Sequence, residues 1–147
     1  MNYHFYGWEN ADVSAISDEY FGIKDPYDLY DAFLKIWKED TCAPRMADKW
    51  KDSHPSLGQC SISAFLVQDI FGGEVYGVRL EDGSIHCFNV VDSHLFDLSS
   101  EQFDEILDYS QASLQEREKH FSKEEKYHRY LLLKERLKDY CKTKDTD

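Results

Sequence analysis

The sequence contains little that would mark a metalloprotein, a secreted protein or a membrane protein. Its cysteines form no CxxC pair and match no zinc ribbon or finger. The first residues are polar and aromatic, without a basic start or a long apolar run, so we expect no signal peptide. No apolar stretch approaches the roughly 20 residues that span a bilayer. We therefore expect reduced thiols in the cytoplasm, no membrane insertion, and neither metal nor cofactor. The four cysteines are Cys42, Cys60, Cys87 and Cys141.

Basic residues are scarce as well. Seventeen Lys and Arg oppose 29 Asp and Glu, and the formal net charge is -12. An acidic surface repels phosphate backbones, so we expect no direct nucleic-acid binding. Such an excess of acid is typical of a solvated surface, and docking to a basic partner or mimicry of nucleic acid are the alternatives. Mimicry would require carboxylates spaced like phosphates on one face.

Repeats, low-complexity tracts and linkers are missing too. The 147 residues, of which 41% are hydrophobic and 15% aromatic, suit one domain spanning residues 1–147 with a substantial core. Residues 1–24 are aromatic and acidic, and they contain too many aromatic side chains for a disordered tail. We therefore expect this N-terminal segment to pack on the domain.

The stretch from Gly58 to Gly73 organises the rest of the chain. Its apolar residues recur at helical spacing on more than one side, which predicts a buried helix that Gly72 and Gly73 end. Cys60 lies in the first turn of this helix, where unpaired backbone N–H groups and the helix dipole stabilise a thiolate. A cysteine on an apolar helix is also typical of an inert core residue.

Other helical patterns lie on both sides of this stretch. Asp25-Pro26 predicts the start of a helix over residues 26–39, followed by an irregular segment with one helical turn near residues 46–50. A capping box from Ser99 to Gln102 predicts another helix from about Ser100, and Ser122 with Glu125 predicts a last helix before a frayed tail at 142–147. The last helix places these residues close to one face: Tyr127, Tyr130, Leu131, Lys134, Leu137 and Cys141.

Three strand patterns follow the cysteine helix, over residues 74–80, 85–91 and 94–98. Short turns between them predict an antiparallel meander, so the chain is expected to fold as an α+β domain. With Asp92 and Ser93 as the turn residues, Phe88 faces Asp97 across the hairpin.

This register makes His86 and Asp97 candidate partners of Cys60. A thiol nucleophile needs a base, and the base needs an acceptor that orients it. Asp97 falls diagonally beside His86 on the same face of the sheet, whereas a slip of one residue would move it to the other face. Asn89 would replace Asp97 only if a bulge turned it round. Both His86 and Asp97 are also typical structural residues of strands and helix starts.

Two further residues, and one set of possible metal ligands, could have either a functional or a purely structural role. Gln59 is either a turn residue or an amide donor to an oxyanion beside the N–H of Cys60. Trp50 is either a core residue or a wall of a substrate cleft. Metal binding by His86, His94 and Asp97 is conceivable, but their spacing matches no common metal site.

The combined pattern resembles the YunG-like family of small bacterial proteins, which is similar to papain-like cysteine hydrolases such as NlpC-type peptidases and transglutaminases. The resemblance covers residues 50–103, about a third of the chain. One departure is Cys87, which follows His86 where the family usually has an aromatic residue; on the opposite face of the strand, it is expected not to touch the site. The pattern consists of Trp50, Gly58-Gln59-Cys60, Val67-Gln68-Asp69, Phe71-Gly72-Gly73-Glu74, His86, Asn89, Asp97-Leu98-Ser99 and Gln102-Phe103.

The resemblance implies a papain-like core, with the Cys60 helix packed on a short antiparallel sheet and flanked by helices. It implies a hydrolase or acyltransferase that acts on an amide, thioester or peptide through Cys60, His86 and Asp97. Gln59 would lie near the oxyanion, and Trp50 and Asn89 would lie near the substrate. The alternative is an inactive papain-like scaffold that binds a protein partner.

Overall fold

A small antiparallel sheet forms one layer of the fold. The computed structural model describes residues 3–145, and within them four strands pair in the order β3-β2-β1-β4. The predicted three-stranded meander is confirmed, although β3 ends at Phe96 instead of residue 98. β4, at the far edge, is too short to give a periodic signal in the sequence. The strands are β1 (Glu74–Arg79), β2 (Ile85–Val91), β3 (His94–Phe96) and β4 (Ser113–Leu114).

The turn between β2 and β3 fixes the register on which the site depends. Asp92 and Ser93 both have positive φ, 49° and 70°, which is the backbone of the tight hairpin turn that suits twisted strands. Asn89 pairs with Phe96, so the next step of the ladder brings Phe88 opposite Asp97. The predicted register is therefore confirmed.

Four α-helices lie within the described residues: α1 (Pro26–Ile36), α2 (Cys60–Phe71), α3 (Arg117–Phe121) and α4 (Glu124–Asp145). Asp25 caps α1 as predicted, but the helix ends three residues early because Glu39–Thr41 forms a separate 3-10 turn. The predicted helical turn before α2 is a 3-10 helix over Pro44–Lys49.

The core lies where α2 packs between the sheet and α4. Nine of the 12 residues of α2 are buried, as its apolar pattern predicts, and the left-handed Gly72 (φ 82°) ends it. The N-terminal segment packs on this core through side chains such as Phe5 and Tyr20. Within the described residues, no helix combines the length and apolar character that crossing a membrane requires.

The helix predicted from Ser100 is wrong. Only a 3-10 turn forms, over Ser100–Gln102, and Ile106 is 80% exposed. Gln102 instead uses its side chain to link two backbones: it donates to Ser99 O (3.0 Å) and accepts from Gly58 N (3.2 Å). The chain then continues without a regular helix until Tyr109 reaches the sheet, so tertiary contacts override a weak local capping signal.

The last helix is confirmed with a different buried face. Leu133 is fully buried, whereas Tyr127 and Leu131 are each 41% exposed, because the contact follows Tyr130, Leu133 and Leu137. α4 continues to Asp145, beyond the point at which the tail is predicted to fray. Residues 146–147 lie outside the described residues.

Candidate active site

Cys60 and His86 line one cleft of about 690 Å³. Cys60 is the first residue of α2 and is half-buried, and its Sγ lies 3.9 Å from Ile85 O. His86 belongs to β2 and is only 1% exposed. The two groups influence each other electrostatically: His86 lowers the pKa of Cys60, and Cys60 raises the pKa of His86. The start of α2 and the start of β2 therefore bring the sulfur and the ring together.

Asp97 holds the opposite side of the His86 ring. Its Oδ2 accepts a hydrogen bond from His86 Nε2 at 2.6 Å, and both side chains are buried. This contact follows directly from the hairpin register described above. Nδ1 of His86 is buried and has no hydrogen-bond partner among residues 3–145. Since Nε2 is occupied by Asp97, Nδ1 is the nitrogen available to Cys60.

The Asp97 carboxylate is itself held by further donors. Tyr109 Oη donates to Oδ2 at 2.7 Å, and the Ser99 backbone N–H donates to Oδ1 at 3.2 Å. Phe103 packs its ring edge-to-face on His86, with 4.7 Å between centroids. Tyr109 and Phe103 were not predicted as site residues, because they follow the sheet in a segment without periodicity. These contacts restrict both the carboxylate and the imidazole to one arrangement.

The electrostatics favour an ion pair between Cys60 and His86. Burial disfavours a charged imidazole, but the Asp97 carboxylate and the Cys60 thiolate outweigh it and raise the pKa of His86 to about 10. A hydrogen bond from Cys87 and the charge of His86 hold the pKa of Cys60 well below its usual range, although burial opposes them. Both shifts favour a thiolate and an imidazolium over two neutral side chains.

The prediction that Cys87 stays away from the site is wrong. Its side chain hydrogen-bonds the Cys60 sulfur, and this bond together with burial raises the pKa of Cys87 well above its usual range. The two sulfurs meet because Cys60 packs against the face of β2 that carries Cys87. His86, the preceding residue of the same strand, approaches the Cys60 sulfur as well. Cys87 therefore acts as a neutral donor to the thiolate.

Three of the predicted site residues make internal contacts away from the cleft wall. Gln59 is fully buried and donates from Nε2 to Lys38 O at 3.0 Å. Trp50 donates from Nε1 to Pro55 O at 3.0 Å, and Asn89 is buried and donates from Nδ2 to Ala64 O at 2.9 Å. The cleft lining includes none of them. Trp50 and Asn89 therefore make internal hydrogen bonds, and their assignment to substrate binding stays a prediction.

Two further features of this region are the alternative metal site and a second cleft. His94 contacts the backbone of Asn10, so it does not join His86 in a metal site. Across the described chain, no group of three His, Cys, Asp or Glu is placed to hold a metal ion. A larger cleft of about 890 Å³ lies beside the N-terminal segment and contains neither Cys60 nor His86.

Comparison with known proteins assigns the family. A family model described as "YunG protein" matches residues 25–142. The chain is 36% identical over 63 residues to "Uncharacterized protein YunG" of Bacillus subtilis (strain 168). That alignment covers 43% of this chain and 54% of the relative, so the chain spans about half the length of the curated relative it matches. No solved structure matches the chain. Because the family model covers most of the chain, the protein belongs to the YunG family.

Proposed function

We propose that the protein is a papain-like cysteine hydrolase or acyltransferase that acts on an amide or thioester. The observation that carries this proposal is the arrangement of Cys60, His86 and Asp97: the sulfur lies at the start of a helix beside the imidazole in one cleft, and Asp97 fixes the imidazole from its other side. A structural cysteine in an apolar core needs neither an ionised sulfur nor an oriented imidazole. An inactive binding scaffold would not need them either.

The proposed reaction follows from the protonation states. The Cys60 thiolate attacks the carbonyl carbon, and the electron pair moves to the carbonyl oxygen. The imidazolium of His86 gives its Nδ1 proton to the leaving amine or thiol as the tetrahedral adduct collapses to a thioester on Cys60. Water or a second nucleophile then loses a proton to His86 and releases the acyl group.

Backbone groups supply the oxyanion donors in this proposal. The first N–H groups of α2, which begins at Cys60, have no partner within the helix and no side-chain cap from Gln59. The Gln59 side chain is not available for this role, since its amide donates to Lys38 O. Asp97 keeps the imidazole aligned through its hydrogen bond to Nε2. Free thiols are needed throughout, which fits a reducing cytoplasm.

The experiment is acylation by a small thiophenyl ester, followed by intact and peptide mass spectrometry. We expect one acyl group on Cys60 with release of one equivalent of thiophenol. Cys60→Ala should abolish the adduct, and Cys141→Ala, which removes another buried cysteine, should leave it unchanged. Wild-type protein without an acyl group on Cys60, or His86→Ala acylated as fast as wild type, would overturn the proposal.

A further inference from the structure

The charge of the cleft is opposite to that of the protein. Among the described residues, five Lys and Arg side chains line the cleft and only one carboxylate does, that of Glu125. The chain as a whole has a net charge of -12. A positive cleft in an acidic protein concentrates anions and repels cations. The five cations are Arg45, Lys119, Lys123, Lys126 and Arg129.

Three of these cations already have carboxylate partners. Arg45 lies 3.4 Å from Asp82. Lys119 lies 3.5 Å from Glu116. Arg129 is buried, pairs with Glu125 and donates to the Thr41 carbonyl at 3.0 Å. Their charges are largely compensated within the protein.

Lys123 and Lys126 have no carboxylate within ion-pair distance anywhere in residues 3–145. Lys123 is exposed, whereas Lys126 is half-buried, and its Nζ lies 2.9 Å from His120 Nδ1. Burial lowers the pKa of Lys126, and the nearby Lys123 and Arg129 act in the same direction, whereas Cys60 and Cys87 oppose them. Lys126 is therefore a cation close to the reacting sulfur without a dedicated counter-ion.

The neighbouring histidine leaves that charge in place. His120 Nε2 lies 2.8 Å from the Gln115 amide oxygen, which only accepts, so Nε2 carries the proton. Nδ1 is then the lone pair that accepts from Lys126. Burial and the Lys126 charge lower the pKa of His120 to about 4, so the ring is neutral. A neutral ring does not compensate the charge of the Lys126 ammonium, which has hydrogen atoms left for a ligand in the cleft.

We propose that the acyl substrate of Cys60 carries an anionic group, a carboxylate or a phosphate, that binds Lys126 and is attracted by Lys123. This inference rests on the proposed function for its acyl group, but the positive cleft itself can be tested without catalysis. The anion would occupy the α4 side of the cleft while the carbonyl carbon lies at Cys60. A cationic acyl chain would be repelled at the same place.

The first test compares alkylation of Cys60 by iodoacetate and by iodoacetamide, which differ in charge and require no catalysis. The ratio of the two rates, divided by the same ratio for glutathione, reports the local potential. Lys126→Gln should lower this ratio about tenfold, which corresponds to about 1.4 kcal/mol. Lys123→Gln should lower it less. The control Lys35→Gln removes an exposed charge on α1 outside the cleft and should leave it unchanged.

Two further readings keep this test decisive if Lys126→Gln does not fold. The ratio in wild-type protein should fall as ionic strength rises, because exposed and half-exposed charges are screened. Lys123→Gln should still lower it relative to Lys35→Gln. A ratio that is insensitive to salt and equal in the Lys123 and Lys35 variants would overturn the anion site.

The second test uses matched thiophenyl esters that carry propionyl, succinyl, phosphonopropionyl or β-alanyl groups. We expect the succinyl or phosphonopropionyl ester to acylate Cys60 about tenfold faster than the propionyl ester, with the β-alanyl ester slowest. The faster of the two anions identifies carboxylate or phosphate. Equal rates for all four esters would overturn the anion site and leave the proposed function standing. No acylation by any ester, with the iodoacetate preference retained, would overturn the function and leave the anion site standing.

Discussion

Replacing His86 by Ala removes the cation that faces the Cys60 thiolate. Three influences on the sulfur then remain: the side-chain and backbone hydrogen bonds of Cys87 lower the pKa of Cys60, and burial raises it. We therefore expect the pKa to rise towards that of a free thiol, about 8.5. At pH 6 a free thiol is only about 0.3% ionised, so the fraction of thiolate in the variant should fall below that in the wild type.

The expected change in alkylation rate follows from two opposing effects. The fraction of thiolate at pH 6 falls by about tenfold for each unit by which the pKa of Cys60 rises, whereas a more basic thiolate is intrinsically more reactive by about threefold per unit. The net rate with iodoacetamide should therefore fall by about threefold for each unit of that rise. The pH profile should change as well, from a plateau in the wild type to a rise centred near about 8.5 in the variant.

The measurement is the second-order alkylation rate from pH 4 to 10, with the modified cysteine identified by mass spectrometry. Cys42 and Cys141 are internal references, because burial raises the pKa of each. If His86→Ala leaves the Cys60 rate at pH 6 within threefold of wild type, the imidazole does not ionise the sulfur. The reasoning about an ion pair would then be refuted.

Four further outcomes test the same site. The folded pair binds one proton between the pKa values of Cys60 and His86. Its contribution to the free energy of unfolding should therefore rise with pH below about 6.5, stay constant up to about 8.5 and fall above that pH, with slopes of about 1.4 kcal/mol per pH unit. Urea titrations of the wild type and of the Cys60→Ala/His86→Ala variant measure this contribution. Asp97→Asn removes a carboxylate that raises the pKa of His86, so the fall in acylation rate expected near pH 10 in the wild type should move to lower pH. Cys87→Ala removes a donor to the thiolate and should shift the alkylation profile of Cys60 to higher pH. Asn89→Ala loses a buried hydrogen bond, so urea unfolding should show a loss of about 1–3 kcal/mol while the alkylation profile stays as in wild type.

Local patterns in the sequence determined the elements that carry the site. The apolar spacing from Ile62 to Phe71, bounded by glycines, allows little but a buried helix that begins at Cys60. The two turn residues Asp92 and Ser93 fix the hairpin register, and the alternation of side chains then places Asp97 beside His86. These features could be predicted because each depends on residues close together in the chain.

Only the tertiary structure decided which side chains surround Cys60, His86 and Asp97. Tyr109 reaches Asp97 from a segment without periodicity, and the Cys87 thiol meets Cys60 only because α2 packs on that face of the sheet. The positive cleft depends on α4, whose lysines lie more than 60 positions after Cys60 in the printed sequence. Such contacts join residues that are distant in sequence, and they follow from the packing of whole elements. No local pattern specifies that packing, so the sequence indicated Cys60, His86 and Asp97 as candidate site residues but not the charge of the cleft beside them.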